Sequence, residues 1–242
     1  MTKLTTSTTI TLPTDDGPMP TYRAVPDGPA KGGVIVVQEA FGVTSHIEDV
    51  ARRFADAGWH ALAPSFFHRQ GSPVLAYDDL GSVMPVMGQL TAEGLATDLG
   101  AAVDQLGAAG HVPGRVAVVG FCMGGTVTFY AATLQPLGAA VSFYGGGVAE
   151  GRFGLPSLVD LAPSLQTPWL GLYGDEDSGI PVEQVERLRA ATDPLAVDTA
   201  IVRYPDSQHG FHCDDRPAVF DAAAAADAWE RTLSWLGGHI GS

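Results

Sequence analysis

The sequence predicts an α/β fold with a mostly parallel central sheet and helices on both faces. Three observations carry this. Short runs of apolar, largely β-branched residues alternate with longer amphipathic segments along the 242 residues, the pattern of strand–helix–strand units. The runs are apolar at nearly every position rather than every second one, as in strands covered on both faces. Hydrophobic residues make up 45% and charged residues only 17%, enough apolar surface for a large core in one domain over 1–242.

The elements follow in order. Thr8–Leu12 and Thr21–Val25 are expected as an edge hairpin within 1–30. Gly33-Val-Ile-Val-Val-Gln38 reads as a buried strand. Ser45–Ala57 carries Ile47, Val50, Ala51 and Phe54 at helical spacing, and Gly58 ends it. His60–Pro64 is a second buried strand, and Phe67–Met87, rich in Pro, Gly and Asp, is a loop with short helical pieces. Thr91–Leu106 is a helix, Arg115–Gly120 a strand and Met123–Leu134 a helix. Two strands follow, Ala139–Tyr144 and Pro168–Tyr173. Pro181 opens a helix to Ala190, Ala200–Tyr204 is the last strand and Ala218–Leu236 the closing helix.

The formal charge of −14 argues against nucleic acid or an anionic membrane surface as partner. No segment has the roughly 18 consecutive apolar residues of a membrane span, and Met1–Ile10 has no signal-like apolar run. These features point to the cytoplasm. They leave monomer and homodimer open, and no metal or cofactor is expected.

Gly120-Phe-Cys122-Met-Gly124, between a strand and a helix, is a nucleophile elbow with cysteine in the usual serine place. The turn is sharp, so its neighbours must be small, and a helix N-terminus favours a thiolate. The N–H of Met123 points to where an oxyanion would form. A buried structural cysteine in a glycine turn is the plainer reading, and the flanking strand and helix weigh against it. After a later strand, Gly174-Asp-Glu-Asp177 offers three acids. Asp177 is the choice to orient a base, while Asp175 and Glu176 are read as solvating the turn. After the last strand come His209 and His212; His209, before Gly210, is the expected base and His212 structural or exposed. The order nucleophile, acid, histidine is that of the α/β-hydrolase fold. The other oxyanion donor is expected after the first buried strand, at the N–H of Ala40, and Glu39 sits unusually at that strand's end.

Residues 33 to 236 resemble the dienelactone hydrolase family. The resemblance rests on Gln38-Glu-Ala-Phe-Gly42, Gly120-Phe-Cys-Met-Gly-Gly125, Gly174-Asp-Glu-Asp177 and His209-Gly-Phe211. It implies an ester or lactone hydrolase with a Cys122–His209–Asp177 triad acting through a thioester. It implies Met123 and Ala40 as oxyanion donors, and Glu39 beside the thiol as acceptor of its proton when substrate binds. Dienelactone-cleaving members hold the substrate carboxylate with arginines. One of them follows the catalytic histidine by four residues, where this chain has Cys213. Between Phe54 and Gly114 only Arg69 is available, and Arg216 falls at a different spacing. The expected substrate is therefore a neutral short-chain ester or lactone, in a pocket walled by Phe41, Tyr77, Tyr144 and Phe211, with Phe66, Phe67 and Arg69 as further candidates. The alternatives are a thioesterase or peptidase on the same scaffold, and a thiol redox sensor pairing Cys122 with Cys213. A metal site of His209, His212, Cys213 and Asp214 has no standard spacing.

Overall fold

The computed structural model describes residues 5–240, so the first four residues of the expected edge segment 1–30 and the last two of the chain lie outside the described residues. One eight-stranded sheet organises the molecule. In chain order the elements are β1 (Thr6–Thr14), β2 (Gly17–Val25), β3 (Gly33–Val37), α1 (Ser45–Asp56), β4 (His60–Pro64), α2 (Leu80–Met87), α3 (Ala92–Ala108) and β5 (Val116–Phe121). There follow α4 (Met123–Leu134), β6 (Ala139–Phe143), α5 (Leu158–Leu161), β7 (Trp169–Gly174), α6 (Val182–Thr192), β8 (Thr199–Tyr204) and α7 (Ala222–His239). The strands lie in the order β1-β2-β4-β3-β5-β6-β7-β8. β2 pairs antiparallel with both β1 and β4, and every pairing from β4 to β8 is parallel.

The near-continuous apolar strands serve two cores. Along β3, Val34 and Val36 join one apolar cluster with Ile47, Val50 and Phe54 of α1. Ile35 and Val37 join the other with Leu95, Leu99 and Leu106 of α3. Alternate side chains leave a strand on opposite faces, so a sheet covered on both sides needs apolar residues at every position.

Local chemistry sets the helix ends. Thr44 caps α1 and Thr91 caps α3. The closing helix begins at Ala222 rather than Ala218, because Asp221 accepts hydrogen bonds from the N–H groups of Ala223 and Ala224, each at 3.1 Å. Losing such a cap costs about 0.5–2 kcal/mol, enough to fix the start. The stretch 67–87 contains a 3-10 turn at His68–Gln70 and α2, capped by Asp79. The four-residue helix α5, capped by Ser157, was too short to show periodicity in the sequence. No described helix is long and apolar enough to cross a membrane.

The chain winds from β3 outward to β4, then back past β3 to β5. The carboxyl ends of β3 and β5 are therefore the point where the winding reverses, with Val37 in register with Gly120. In open α/β sheets the crevice at such a point is where ligands bind.

Candidate active site

Five of the six loops that leave the carboxyl edge of the parallel strands each place one chemically notable side chain there: Glu39 after β3, Cys122 after β5, Tyr144 after β6, Asp177 after β7 and His209 after β8.

Cys122 stands between β5 and α4 with φ 56° and ψ −115°, a backbone conformation that is costly for a side-chain-bearing residue. Close packing holds it. A Cβ on Gly120 would lie 2.1 Å from the Gly124 carbonyl oxygen, and one on Gly124 would lie 2.4 Å from that of Val37. Neither glycine can be replaced without moving the strand ends apart. The Cys122 N–H donates to the Phe143 carbonyl at 3.1 Å, pinning the turn to β6. The sulfur is thus presented at the N-terminus of α4.

Asp177 is buried, and its own turn fixes it: Oδ1 accepts the Gly179 N–H at 2.9 Å. Its Oδ2 lies 2.6 Å from His209 Nδ1. The His209 ring packs against Tyr144, with centroids 5.0 Å apart, and also interacts with the Cys122 side chain. Burial pulls the imidazole pKa down, but the negative charge of the Cys122 thiolate and the Asp177 carboxylate outweigh it and raise it to about 10. The structure thus brings Cys122, His209 and Asp177 together, with His209 between the other two and its protonated form favoured. Asp175, expected from sequence only to solvate its turn, does more: it makes a bidentate pair with Arg203, both contacts 2.7 Å.

The N–H groups of Ala40 and Met123 donate to no described residue, and both residues line the pocket at Cys122. Glu39 is fully buried with no conventional hydrogen-bond partner on either oxygen. Burial pushes its carboxyl up; His46, Arg216 and His209 draw it back, as does the Cys213 thiol beside it. Tyr144 is equally buried with a partnerless hydroxyl, close enough to feel Glu39, Cys213 and Cys122. Burial holds its phenol protonated. Cys213 contacts the Tyr77 hydroxyl at 3.5 Å, and burial raises its thiol to about 12, so it stays protonated.

The pocket above Cys122 holds about 240 Å³. Of the expected walls Phe41 is there; three others are not. Tyr144 lies behind His209. Phe211 is in the core against Tyr144 and Tyr204. Tyr77 stands one layer back, edge-on to Phe41 at 4.7 Å. Phe66 and Phe67 are core. Arg69 is also absent: its guanidinium is spent on Asp98 at 2.8 and 3.0 Å and on Asp16 at 2.6 Å, tying the N-terminal hairpin to α3. The apolar wall comes instead from α2 through Val83, Met84 and Met87, and from Phe153 and Ile180. Two arginines line it: Arg152, which the sequence reading missed, and Arg216, which it noted at a different spacing but did not place in the pocket. Arg216 stacks over Phe41 and Tyr77 at 5.7 and 5.6 Å from their centroids and crosses Gly210, next to His209. Neither arginine forms an ion pair with a described residue. The expected lack of cations near the substrate is therefore overturned. Arg216 lies only three residues beyond Cys213 and reaches the pocket because the chain turns there, its N–H bonding the Cys213 carbonyl at 3.1 Å.

A nucleophile elbow at the carboxyl edge of a doubly covered parallel sheet, with an acid and a histidine from the last two strand ends, defines an α/β-hydrolase. Residues 19–240 match the dienelactone hydrolase family. A candidate carboxymethylenebutenolidase of Methylorubrum extorquens is 38% identical over 234 residues, covering 94% of this chain and 79% of that protein. One of Escherichia coli is 38% identical over 234 residues, covering 93% and 84%. The crystal structure of a candidate dienelactone hydrolase from Klebsiella pneumoniae superposes with a TM-score of 0.88 at 36% identity, covering 96% of this chain and 98% of that one. The chain belongs to the dienelactone hydrolase family, and it is a hydrolase of the ester- and lactone-cleaving class.

Proposed function

We propose that the protein hydrolyses a carboxylic ester or lactone through a thioester on Cys122. The contact of 2.6 Å between His209 Nδ1 and Asp177 Oδ2, with Cys122 on the other side of the ring, carries this reading. The thiol proton rests on His209, leaving thiolate beside imidazolium. Sulfur adds to the ester carbonyl, and the oxyanion is met by the N–H groups of Met123 and Ala40. The carbonyl re-forms as the C–O bond breaks, and His209 gives its proton to the leaving alkoxide. The neutral imidazole then takes a proton from water as that water attacks the thioester. Thiolate leaves, the acid departs and the imidazolium is restored. Asp177 fixes the tautomer and stabilises the cation. Where the thiol proton is not already on His209, Glu39 is its alternative acceptor, as the family resemblance implies. A thiol with this role must stay reduced, which fits a cytoplasmic setting, and the whole site fits one hydrolase domain.

Turnover of 4-nitrophenyl acetate, with mass spectrometry of the protein quenched in the steady state, tests the reading. The expected result is many turnovers per enzyme and an acetyl adduct on the peptide containing Cys122. Normal turnover by Cys122→Ala, or an adduct confined to another residue, sinks it.

A further inference from the structure

Beside the catalytic pocket lies a second cleft of about 560 Å³. The two share four residues, Met84, Met87, Arg152 and Phe153, and Leu90 closes the far side of the second. Small-molecule sites usually occupy about 300–1,000 Å³. At 240 Å³ the first chamber alone falls short of that range, and with its neighbour it lies within it.

The dividing residues are not ordinary core. α2 buries only Val83, and its Met84 and Leu80 are 63% and 62% exposed. A short helix with so little buried surface is held weakly and can yield, and methionine side chains adapt to irregular apolar ligands. On the other wall Phe153 has φ 57°, beside Gly154 at φ 72°. Strain of this kind persists where the surroundings impose it. Here it sets an aromatic ring at the junction of the two chambers. Arg152, next to it, packs on Gly146 and has no carboxylate partner among the described residues.

We propose that the second cleft is a distal substrate subsite, which takes an unbranched aliphatic chain running from the ester carbonyl at Cys122 past Met87 and Phe153, with Arg152 binding an acidic group carried by that chain. The proposal rests on the hydrolase reading above and names its substrate class: an aliphatic ester with an anionic end, such as a monoester of a dicarboxylic acid.

The test compares kcat/KM for 4-nitrophenyl acetate, octanoate and monosuberate. Burying a methylene is worth up to about fourfold, so octanoate should exceed acetate by about tenfold or more. The octanoate-to-acetate ratio should collapse in Leu90→Trp, which fills the second cleft, and in Met84→Glu, at an exposed position that tolerates charge in the fold. The monosuberate-to-octanoate ratio should fall roughly tenfold or more in Arg152→Gln, the scale of a hydrogen bond to a charged group. Calorimetry of octanoate and butyrate with Cys122→Ala supplies a readout independent of turnover, with octanoate expected to bind more tightly. An octanoate-to-acetate ratio near one in the parent, or one indifferent to both filling variants, overturns the proposal and leaves the hydrolase reading standing. Chain-length-dependent binding without hydrolysis of any ester would instead break the hydrolase reading and keep the subsite.

Discussion

His209 and His212 leave the same strand on the same loop, three residues apart, and burial lowers the pKa of both rings. Their charges nevertheless diverge. His209 faces Asp177 at 2.6 Å and the Cys122 side chain, both of which favour its protonated form, and its pKa rises to about 10. His212 faces two groups that favour its neutral form. Arg53 Nη2 lies 3.3 Å from its Nε2, and the His46 ring is 5.7 Å away, so its pKa falls well below the usual value. The rest of its surroundings are the rings of Phe121, Phe143 and Trp229. Partner charge, not burial, decides which histidine can hold a proton for chemistry and which becomes part of the core.

The largest expected effect removes one of the partners of His209. Cys122→Ala should lower ester turnover by roughly 10³-fold or more, the scale of losing a covalent nucleophile. It should also lower the His209 pKa, because the thiolate is a main reason the value is high. Titration of the ring by NMR reads this directly. An unchanged His209 pKa in Cys122→Ala would mean that Asp177 alone holds the imidazolium.

Exchanging the histidines themselves comes next. His209→Gln should cost about 10²–10⁴-fold in kcat/KM, the usual share of a positioned acid–base group. His212→Gln should leave the rate per folded molecule near the parent's and lower the melting temperature, since it disturbs a ring packed among aromatics. A reversed pattern would mean that the wrong histidine was assigned. Their orienting carboxylates extend the test. Asp177→Asn should lose a similar or smaller factor than His209→Gln. Asp175→Asn breaks the half-buried pair with Arg203 and should change stability by about 1 kcal/mol or less, with little change in rate.

The raised His209 pKa also has a pH signature. His209 must give a proton to the leaving alkoxide, and it loses that proton only as the pH passes about 10. The alkaline limb of kcat/KM should lie there, whereas alkylation of Cys122 by iodoacetamide, which needs only thiolate, should show no alkaline fall. An alkaline limb of ester hydrolysis near pH 7 would show that the imidazolium is not held by its two partners.

Much of this was legible in the sequence because it is local. The strands could be read from unbroken apolar runs, and the elbow from Gly120 and Gly124, whose missing side chains are what let β5, α4 and β3 meet. Asp177 and His209 could be read from their places just past strand ends. The pocket wall was not legible. Arg69 looked free until Asp98, 29 residues further on, claimed its guanidinium. Arg152 and Phe153 sit in a loop without periodicity, and Phe153 takes a backbone conformation that no propensity announces. Arg216 reaches the pocket through a turn rather than through the spacing of family arginines. The His209 and His212 assignments differ only in which charges the fold brings to each, and no count along the chain supplies that.

The smallest expected effect concerns Glu39, which forms no ion pair at contact distance and has the Cys213 thiol as its neighbour rather than a conventional hydrogen-bond donor on either oxygen. Burial raises its carboxyl pKa, and the neighbouring His46, Arg216 and His209 side chains only partly offset this. An acid whose pKa is raised on folding destabilises the fold once it ionises, so the penalty is absent at low pH and grows as the pH rises through the folded value. Glu39→Gln is nearly isosteric with the neutral acid. It should therefore change the melting temperature little at pH 4 and raise it at pH 8. In the same protein the acylation rate should fall if Glu39 is a second acceptor for the thiol proton. A buried acid kept at the cost of stability is what a working site would show. The contrary result is also concrete. If Glu39→Gln lowers the melting temperature at pH 8 and leaves acylation untouched, the cations around Glu39 stabilise its charge, and it belongs with Asp175 as a structural carboxylate.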